Sequence, residues 1–524
     1  MARKPFPTSN QVLACILILA AALRSLAAYF SIGFDHPNEV YRLLEPLAHL
    51  QGYSTLLPWE WNDHLLSWLP IRLQNELLHW VSTLGWTDSI SQVRTLHFLY
   101  GILSLLQVYC GWRLVWVGTG SIKLAGSAAL FLAIWPDLIY HSVRLMDYSL
   151  EGSFLAATVL LIFGNWGGVS KSKPELKKIN INSALVFLAG IFLGTLFFIR
   201  YQTGIHLISL LLVLLLIQLR NEVPLKKALW NAGLLSTAYG VTVLFLALLE
   251  AGTLSGILVP FRNYLHFNWT LGGAEKFYGP QPWHRYLSEI AKYYGYIPLL
   301  IGLGFILSAL SFRRPRQNQA ELIPGAFLAA LVFIPWLAHS LIPHKEGRFI
   351  FGSLFLLVPA AFLSVENRSG KYTKAFVPWA QGLLVVGLVI GFSISLSRTV
   401  KKITVRAGKV LAFARAGSAL QKEVRNSNRS LQIHDDPIHS PGAFFLRWRG
   451  PICYVSSNTD YLKSPLGSLH PSITQCSGKL DQSYHLVPHF SGRSDLELDE
   501  NSQMNSNNRV IWKNPTWTLL YKSL

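Results

Sequence analysis

The stretch INSALVFLAGIFLGTLFFI, residues 181–199, contains no charged side chain and only three polar ones. A hydrocarbon layer holds no water to hydrogen-bond the backbone, so a membrane crossing takes the form of a helix of about 20 mostly apolar residues. Ten similar windows occur elsewhere in the chain, and we therefore predict an all-α polytopic membrane protein with about eleven transmembrane helices. The predicted helices cover residues 11–33, 93–117, 123–141, 148–165, 181–199, 203–219, 229–251, 293–311, 321–341, 348–364 and 375–397.

The composition agrees with a membrane protein. Of the 524 residues, 51% are hydrophobic and 14% are charged, and the mean hydropathy is +0.33. The net charge of +19 would suggest nucleic-acid binding in a soluble domain, but polytopic membrane proteins collect cations in their cytoplasmic loops. We therefore interpret the basic charge as a sign of topology and expect no nucleic-acid partner.

Cysteine spacing excludes a disulfide framework or a zinc module. The four cysteines, Cys15, Cys110, Cys453 and Cys476, form no CxxC pair. At most one disulfide, between Cys453 and Cys476, is compatible with this spacing.

The positions of the cations predict the orientation in the membrane. With the N-terminus in the cytoplasm, four cation-rich loops lie on the cytoplasmic side, and eleven crossings leave the C-terminal end outside. We predict a transmembrane domain, residues 1–397, with a first outer loop at 34–92, and a small extracytoplasmic α/β domain, residues 398–524. That tail contains the strand-like pieces FFLRWRGPICYV (444–455) and VIWKNPTWTLLY (510–521). The cytoplasmic cations are Lys171, Lys173, Lys177, Lys178, Arg220, Lys226, Lys227, Arg313, Arg314, Arg316, Arg368, Lys371 and Lys374.

The first outer loop carries acids directly after a membrane exit. A general base that deprotonates a sugar hydroxyl must be an acid within hydrogen-bond reach, and Asp35 and Glu39 are the candidates. The chain is predicted to be helical from Val40, which places Glu45 near the same region, and residues 65–81 have the pattern of an amphipathic helix in the headgroup plane. The alternative is that these acids are solvated loop charges.

The segment LIPHKEGRFIFG, residues 341–352, places four ionisable groups between two apolar windows: His344, Lys345, Glu346 and Arg348. Cations at a membrane boundary suit the phosphate of a membrane lipid, with Arg348 supplying a planar fork and Lys345 a point charge. The alternative is a turn whose long side chains anchor helix ends at the interface.

Further candidates for substrate binding lie at the same predicted boundary. The long loop after residue 252 contains Tyr278, Trp283 and His284, which can stack on sugar rings, although aromatic belts at interfaces are common. The turn HSVRLMDYSLEG (141–152) contributes Arg144, and FFIRYQTG (197–204) contributes Arg200. Both segments are equally compatible with structural ion pairing between helices.

Several of these segments together resemble a known family. The chain contains HPNEVYRLLE (36–45), GYSTLLPWEW (52–61), NYLHFNWTLGGAEKFYGPQPWHRYL (263–287) and HKEGRF (344–349), in that order. It resembles glycosyltransferase family twenty-two, the lipid-phosphate-mannose-dependent mannosyltransferases of glycosylphosphatidylinositol (GPI) anchor and lipid-linked-oligosaccharide synthesis. The resemblance implies the C-type glycosyltransferase architecture, a helical bundle with its active site in luminal or periplasmic loops.

The resemblance also implies a chemistry and a set of roles. An acid of the first loop would deprotonate the acceptor, and His344, Lys345 and Arg348 would bind the donor phosphate with Glu346 holding them in place. No cofactor and no metal are implied. The chain departs from the family where Pro-Asp-Glu is usual, because Asn38 is an amide and cannot act as a base. We take Glu39 as the first choice for the base and Asp35 as the second.

The sequence thus predicts an inverting hexosyltransferase that moves a hexose, most plausibly mannose, from a polyprenyl phosphate donor to a glycolipid acceptor. Two alternatives stay open at this point. One is a bacterial polyprenyl-phosphate-sugar transferase that modifies an envelope glycan, and the other is a transporter or flippase. Transporters usually place ionisable residues at mid-membrane, whereas most ionisable residues of this chain are predicted to lie at the outer membrane boundary. The predicted location is the endoplasmic reticulum membrane in a eukaryote or the inner membrane in a bacterium.

Overall fold

The computed structural model forms two compact units. The first unit comprises Met1–Ala28, Phe98–Leu258 and Ala274–Val400, and the second comprises Tyr29–His97, Val259–Gly273 and Lys401–Leu524. The structure describes residues 8–53, 55, 57–164, 182–253, 256–294, 325–366, 377–423, 430–433, 443–447, 449, 452–454, 482–488, 508–513 and 517–523.

The first unit is built from helices. Three of its helices, Ser9–Phe30, Ser89–Leu103 and Val377–Glu423, continue into the second unit, and Gly273–Tyr278 begins at the boundary. The others are Leu105–Thr119, Ile122–Ile134, Pro136–Ser142, Asp147–Phe163, Ser183–Ile199, the 3₁₀ turn Tyr201–Thr203, Gly204–Arg220, Leu225–Ala251, Arg285–Tyr294, Gly325–Ser340, Arg348–Leu354 and Leu357–Glu366.

Two glycines let neighbouring helices approach closely. Gly190 and Gly194, four residues apart, lie on the face of Ser183–Ile199 that packs against Leu225–Ala251. A Cβ atom at Gly190 would lie 2.6 Å from the Ala238 Cβ, and one at Gly194 would lie 2.8 Å from the Thr242 Cβ. Small residues at this spacing are a common basis of helix packing in membranes, where lipid tails are as apolar as leucine.

Arg24 is buried in the helix Ser9–Phe30 and is satisfied by neighbouring groups. Its Nε donates to the Ser104 Oγ at 2.7 Å, and its terminal nitrogens donate to the carbonyls of Leu132 (3.1 Å) and Ala133 (3.3 Å). Those carbonyls belong to the end of a helix that bends by 62° into Pro136–Ser142. Arg24 therefore caps a helix break that Pro136 imposes, since proline has no N–H to donate to the preceding turn.

The predicted windows and the observed helices agree at many positions. The window 181–199 is the helix Ser183–Ile199, and 203–219 is Gly204–Arg220. Among the described residues, four helices are long and apolar enough to cross a membrane, or five if the bent pair is one span, and Ser183–Ile199 and Gly325–Ser340 are shorter apolar helices. The window 293–311 lies almost entirely outside the described residues. The count of eleven stays a prediction.

The second unit combines short helices with a sheet. The helical segments are Pro37–Glu39, the π-helical Val40–Leu44, Glu45–Leu50, Trp59–Asn62, Leu69–Thr83, Val259–Leu265, the π-helical His266–Thr270 and Ala443–Leu446. In Leu69–Thr83 the side chains of Ile71 and Leu78 are buried, whereas Leu73 and Trp80 are more than 60% exposed. The exposed face of this helix thus mixes the apolar Leu73 and Trp80 with the polar Arg72, Glu76 and His79.

Among the described residues, the strands of the sheet are β1 (Ser430–Ile433), β2 (Ile452–Tyr454), β3 (Gln482–Pro488), β4 (Asn508–Lys513) and β5 (Trp517–Ser523). These five strands lie in the order β2-β1-β3-β5-β4. β1 pairs in parallel with β2 and with β3, and β5 pairs antiparallel with β3 and with β4, which has a register shift between Val510 and Trp512.

The predicted strand pieces are correct only in part. VIWKNPTWTLLY overlaps β4 and β5, but the first part of FFLRWRGPICYV is the helix Ala443–Leu446, and only its end forms β2. The predicted domain division stays a prediction, and its boundary between residues 397 and 398 falls within the helix Val377–Glu423. Cys15 and Cys110 are free thiols, and the disulfide considered for Cys453 involves Cys476, which lies outside the described residues.

Candidate active site

In the second unit, Glu39 closes the turn that follows the helix Ser9–Phe30. Its Oε1 accepts the backbone N–H of Asp35 at 2.5 Å and that of His36 at 3.3 Å. The His36 Nδ1 in turn accepts the backbone N–H of Asn38 at 3.1 Å, which completes a reciprocal cap at the start of Pro37–Glu39. Glu39 is 1% exposed, so its carboxylate faces the backbone rather than solvent.

Asp35 is the more accessible of the two predicted bases. Its side chain is 15% exposed, and both of its carboxylate oxygens lie 3.2 Å from the Lys402 Nζ. Lys402 comes from the part of the chain after the last predicted span, and sequence reasoning did not assign it a role. The available signal was the pair of lysines at 401–402, directly after an apolar window.

The rest of the first loop is held by polar contacts. Arg42 pairs with Glu60 at 2.8 Å, and the indole N–H of Trp61 donates to the Tyr41 carbonyl at 2.9 Å. Glu45, predicted to bind substrate, is fully buried and is therefore not presented to a ligand in this structure.

In the first unit, the motif at 344–349 is organised around Glu346. Its Oε1 accepts the Arg348 Nη2 at 2.8 Å, and its Oε2 lies 2.6 Å from the Arg348 Nε, so the two side chains form an ion pair. The His344 Nε2 lies 2.8 Å from the same Glu346 Oε1. The side chains of Arg348 and Glu346 are 12% and 23% exposed, so this pair lies at the accessible edge of the motif.

His344 and Lys345 instead face the protein. The His344 Nδ1 lies 3.2 Å from the Gly279 carbonyl. The Lys345 Nζ donates to the carbonyls of Ile342 (2.6 Å), Gln281 (3.0 Å) and Pro343 (3.4 Å), which accounts for the three donors of an ammonium group. Burial lowers the pKa of Lys345, because desolvation disfavours its charged form. The predicted role of Lys345 at the phosphate stays a prediction, and in this structure its Nζ faces these carbonyls.

These contacts join two of the sequence motifs. The backbone N–H of Gln281 donates to the Pro343 carbonyl at 2.8 Å, and Lys345 returns a bond to the Gln281 carbonyl. The loop that contains Gln281 and the segment HKEGRF (344–349) are therefore neighbours within the first unit. Trp283 is 71% exposed and His284 is exposed beside it. The helix Gly273–Tyr278 ends at Tyr278, whose side chain lies outside the described residues.

Arg144, also predicted to bind substrate, is buried instead. It is 1% exposed, and its guanidinium carbon lies 5.2 Å from the centre of the Tyr140 ring. This position matches the alternative that the turn 141–152 is structural.

A buried ionic cluster lies next to the motif at 344–349. The Arg200 Nη1 donates to the Glu151 Oε2 at 2.7 Å and to the Arg348 carbonyl at 3.0 Å, and Asp147 lies 3.5 Å from the Arg200 Nε. The His206 Nε2 lies 3.0 Å from the other Glu151 oxygen. Three segments, 141–152, 197–206 and 344–349, thus meet at one end of their helices. The sequence shows these charged residues, but it does not reveal that Arg200 pairs with Glu151, 49 residues earlier in the chain.

Comparison with known proteins relates the sequence of this chain to a family. The sequence pattern of the Alg9-like mannosyltransferase family matches residues 15–447. GPI mannosyltransferase 3 of Yarrowia lipolytica is 26% identical over 389 residues, which cover 72% of this chain and 67% of the relative. GPI mannosyltransferase 3 of Schizosaccharomyces pombe is 24% identical over 378 residues, which cover 68% of each chain.

Solved structures share the fold. ArnT from Cupriavidus metallidurans bound to undecaprenyl phosphate is similar with a TM-score of 0.57 and 12% identity, over 97% of both chains. The apo oligosaccharyltransferase from Archaeoglobus fulgidus is similar with a TM-score of 0.53 and 12% identity, over 92% of this chain and 69% of that one. These likenesses concern the fold alone, which is the C-type membrane architecture expected from the sequence.

Proposed function

Because this chain belongs to the Alg9-like mannosyltransferase family, we propose that it transfers mannose from a polyprenyl (dolichyl-type) phosphate to a glycolipid acceptor on the non-cytoplasmic face of the membrane. The chain is a mannosyltransferase and an integral membrane protein. The names of its relatives support a GPI-type glycolipid as the acceptor and the endoplasmic reticulum as the location. The family favours an enzyme over the transporter considered above.

The observation that carries the proposal is the Arg348–Glu346 pair at the edge of the motif. The donor phosphate gains charge as the sugar leaves, and a preorganised guanidinium nearby stabilises that charge in the transition state. Arg348 is partly accessible and fixed on one side by Glu346, whereas Lys345 is turned toward carbonyls. We therefore assign the donor phosphate to Arg348, with Glu346 as its orienting partner.

Asp35 is the base we now favour. In the proposed reaction the acceptor hydroxyl gives its proton to the carboxylate, its oxygen forms the new bond to the anomeric carbon, and the polyprenyl phosphate leaves with the electrons of the broken bond. Asp35 is partly exposed and has a lysine counter-charge, while Glu39 is engaged with backbone N–H groups. The proposal thus takes Asp35 as the base and prefers it to Glu39, which was the first choice from the sequence.

The test is a transfer assay with the purified full-length protein in detergent. We expect labelled mannose to pass from polyprenyl-phosphate mannose to a GPI-type glycolipid. Arg348→Ala should lower the turnover by about 10²–10³-fold, the usual effect of removing one donor to a developing oxyanion, while the protein still accumulates. The matched control is Arg220→Ala, an exposed arginine at the far end of Gly204–Arg220, which should transfer at the wild-type rate.

Two outcomes would contradict the proposal. Near-normal transfer by a well-accumulated Arg348→Ala variant would remove Arg348 from the donor phosphate. Transfer from polyprenyl-phosphate glucose but not from the mannose donor would contradict the donor itself.

A further inference from the structure

Arg200 connects a buried carboxylate to the backbone of the motif at 344–349. It lies between the helix Ser183–Ile199 and the turn Tyr201–Thr203, in an extended backbone conformation with φ −161° and ψ 109°. One nitrogen, Nη1, donates both to the Glu151 Oε2 and to the Arg348 carbonyl. Its guanidinium carbon also lies 5.2 Å from the centre of the Phe349 ring.

Glu151 is the buried carboxylate that holds Arg200 in place. Its side chain is 2% exposed, and its two oxygens are shared between Arg200 and His206. A carboxylate at that depth is costly unless it is fully paired, and here the pairing comes from two residues of the segment 197–206. Glu151 therefore fixes Arg200 by charge as well as by geometry.

The carboxylate of Glu151 also lies directly against the helix Arg348–Leu354. A Cβ atom at Gly352 would overlap it, and a Cβ at Gly152 would lie 3.0 Å from the Gly352 carbonyl. The two glycines let the helices approach until Glu151 touches the backbone that follows Arg348. Glu151 thus contacts this helix directly at Gly352 and holds its first residue, Arg348, through Arg200.

We propose that Glu151 is a positioning residue for mannosyl transfer, which acts through Arg200 to fix the backbone from which Arg348 reaches the donor phosphate. Glu346 holds the guanidinium of Arg348 from one side, and Arg200 holds its carbonyl from the other. This inference rests on the proposed function, because it assumes that Arg348 meets the donor phosphate.

The first variant is Glu151→Gln, which keeps the shape and removes the charge. Displacements of about 1 Å in a positioned group can cost about 10²-fold in rate, so we expect the turnover to fall by that factor. Gly352→Ala, which pushes the carboxylate aside, should produce a similar loss. Its control is Gly240→Ala, where an added Cβ meets nothing within 4 Å, and it should leave the turnover unchanged.

A double-mutant cycle separates positioning from general stabilisation. If Glu151 acts through Arg348, then Glu151→Gln should cost little in an Arg348→Lys background, which keeps the charge but has already lost the planar fork. A purely structural role would give the same fold loss in both backgrounds, and that result would overturn the proposal. Near-normal turnover by Glu151→Gln would overturn it as well.

Two further measurements keep the test decisive. If Glu151→Gln does not accumulate, Arg200→Lys replaces it, since lysine keeps the buried charge but lacks the Nε that donates to Gln202 and lies near Asp147, and so loses the contacts that orient the side chain. Wild-type turnover by that variant would refute the inference. An active Arg348→Ala enzyme would refute the proposed phosphate assignment. An inactive Arg348→Ala enzyme with a fully active Glu151→Gln would refute only the role of Glu151.

Discussion

Glu39 should be dispensable for chemistry, although it occupies the position where the family places an acid. Its Oε1 accepts the backbone N–H groups of Asp35 and His36, and its side chain is 1% exposed. Glu39→Gln retains an oxygen in the same place, so these two bonds lose their charge-assisted part, about 0.5–1 kcal/mol. Glu39→Ala loses the cap entirely, at about 1–2 kcal/mol.

Neither change removes the base if Asp35 supplies it. We expect Glu39→Gln to transfer mannose at a rate close to that of the wild type and Glu39→Ala to show a lower melting temperature with modestly reduced transfer. Asp35→Asn, the matched isosteric change, should lose about 10²–10⁴-fold, the usual contribution of a general base. The assay is initial-rate transfer from labelled polyprenyl-phosphate mannose, with each variant normalised to folded protein by thermal unfolding in detergent.

Asp35 would be excluded as the base if Glu39→Gln and Asp35→Asn exchanged their effects on transfer. A loss of 10²-fold or more in Glu39→Gln, with a stable protein and an active Asp35→Asn, would show that the buried carboxylate turns outward to act as the base. Equal activity in both isosteric variants would move the base out of the first loop altogether.

Two further predictions concern stability. Arg24→Met should lower the free energy of unfolding by about 2 kcal/mol, because the carbonyls of Leu132 and Ala133 lose their donor; a melting temperature at or above that of the wild type would contradict this. Burial acts to raise the pKa of Asp88, but hydrogen bonds from Ser91 and Ile90 and the charge of Arg447 together outweigh it and hold the pKa below its ordinary value of 3.8. A lowered folded pKa stabilises the protein above pH 3.8 and loses that contribution as the pH falls through the folded value, so the melting temperatures of wild type and Asp88→Asn should converge below pH 3.8 and differ by a constant amount above it.

Apolar length predicted the helices well because it reports directly on burial in lipid. The helix Ser183–Ile199 begins within two residues of its window. Breaks within helices were harder to predict. The window 123–141 bends at Pro136, a break that apolar length does not register although the proline is visible in the sequence. The window 348–364 is interrupted between Leu354 and Leu357, where local hydrogen bonding depends on neighbours that apolar content does not describe.

The site was predictable residue by residue but not pair by pair. Sequence identified Glu346 and Arg348 as charged groups at a helix boundary, two positions apart, and the structure pairs them. It did not predict that Lys345 would donate to three carbonyls or that Glu39 would cap its own turn, because both side chains satisfy backbone groups that no pattern of side-chain types reveals. The partner of Asp35 is 367 residues away in the chain, a distance at which spacing carries no information.

The burial of Arg24 also bears on the order in which the chain is made. The helix Ser9–Phe30 leaves the ribosome 108 residues before Leu132, whose carbonyl accepts from Arg24 in the finished protein. At synthesis rates of about 5–20 residues per second, that interval lasts about 5–20 seconds. During that time a guanidinium on a membrane helix lacks these acceptors, at a cost of about 2.5–3.5 kcal/mol for insertion at the helix centre. The insertion of the helix Ser9–Phe30 is therefore complete only when the bent pair Ile122–Ile134 and Pro136–Ser142, which is translated later, supplies these acceptors.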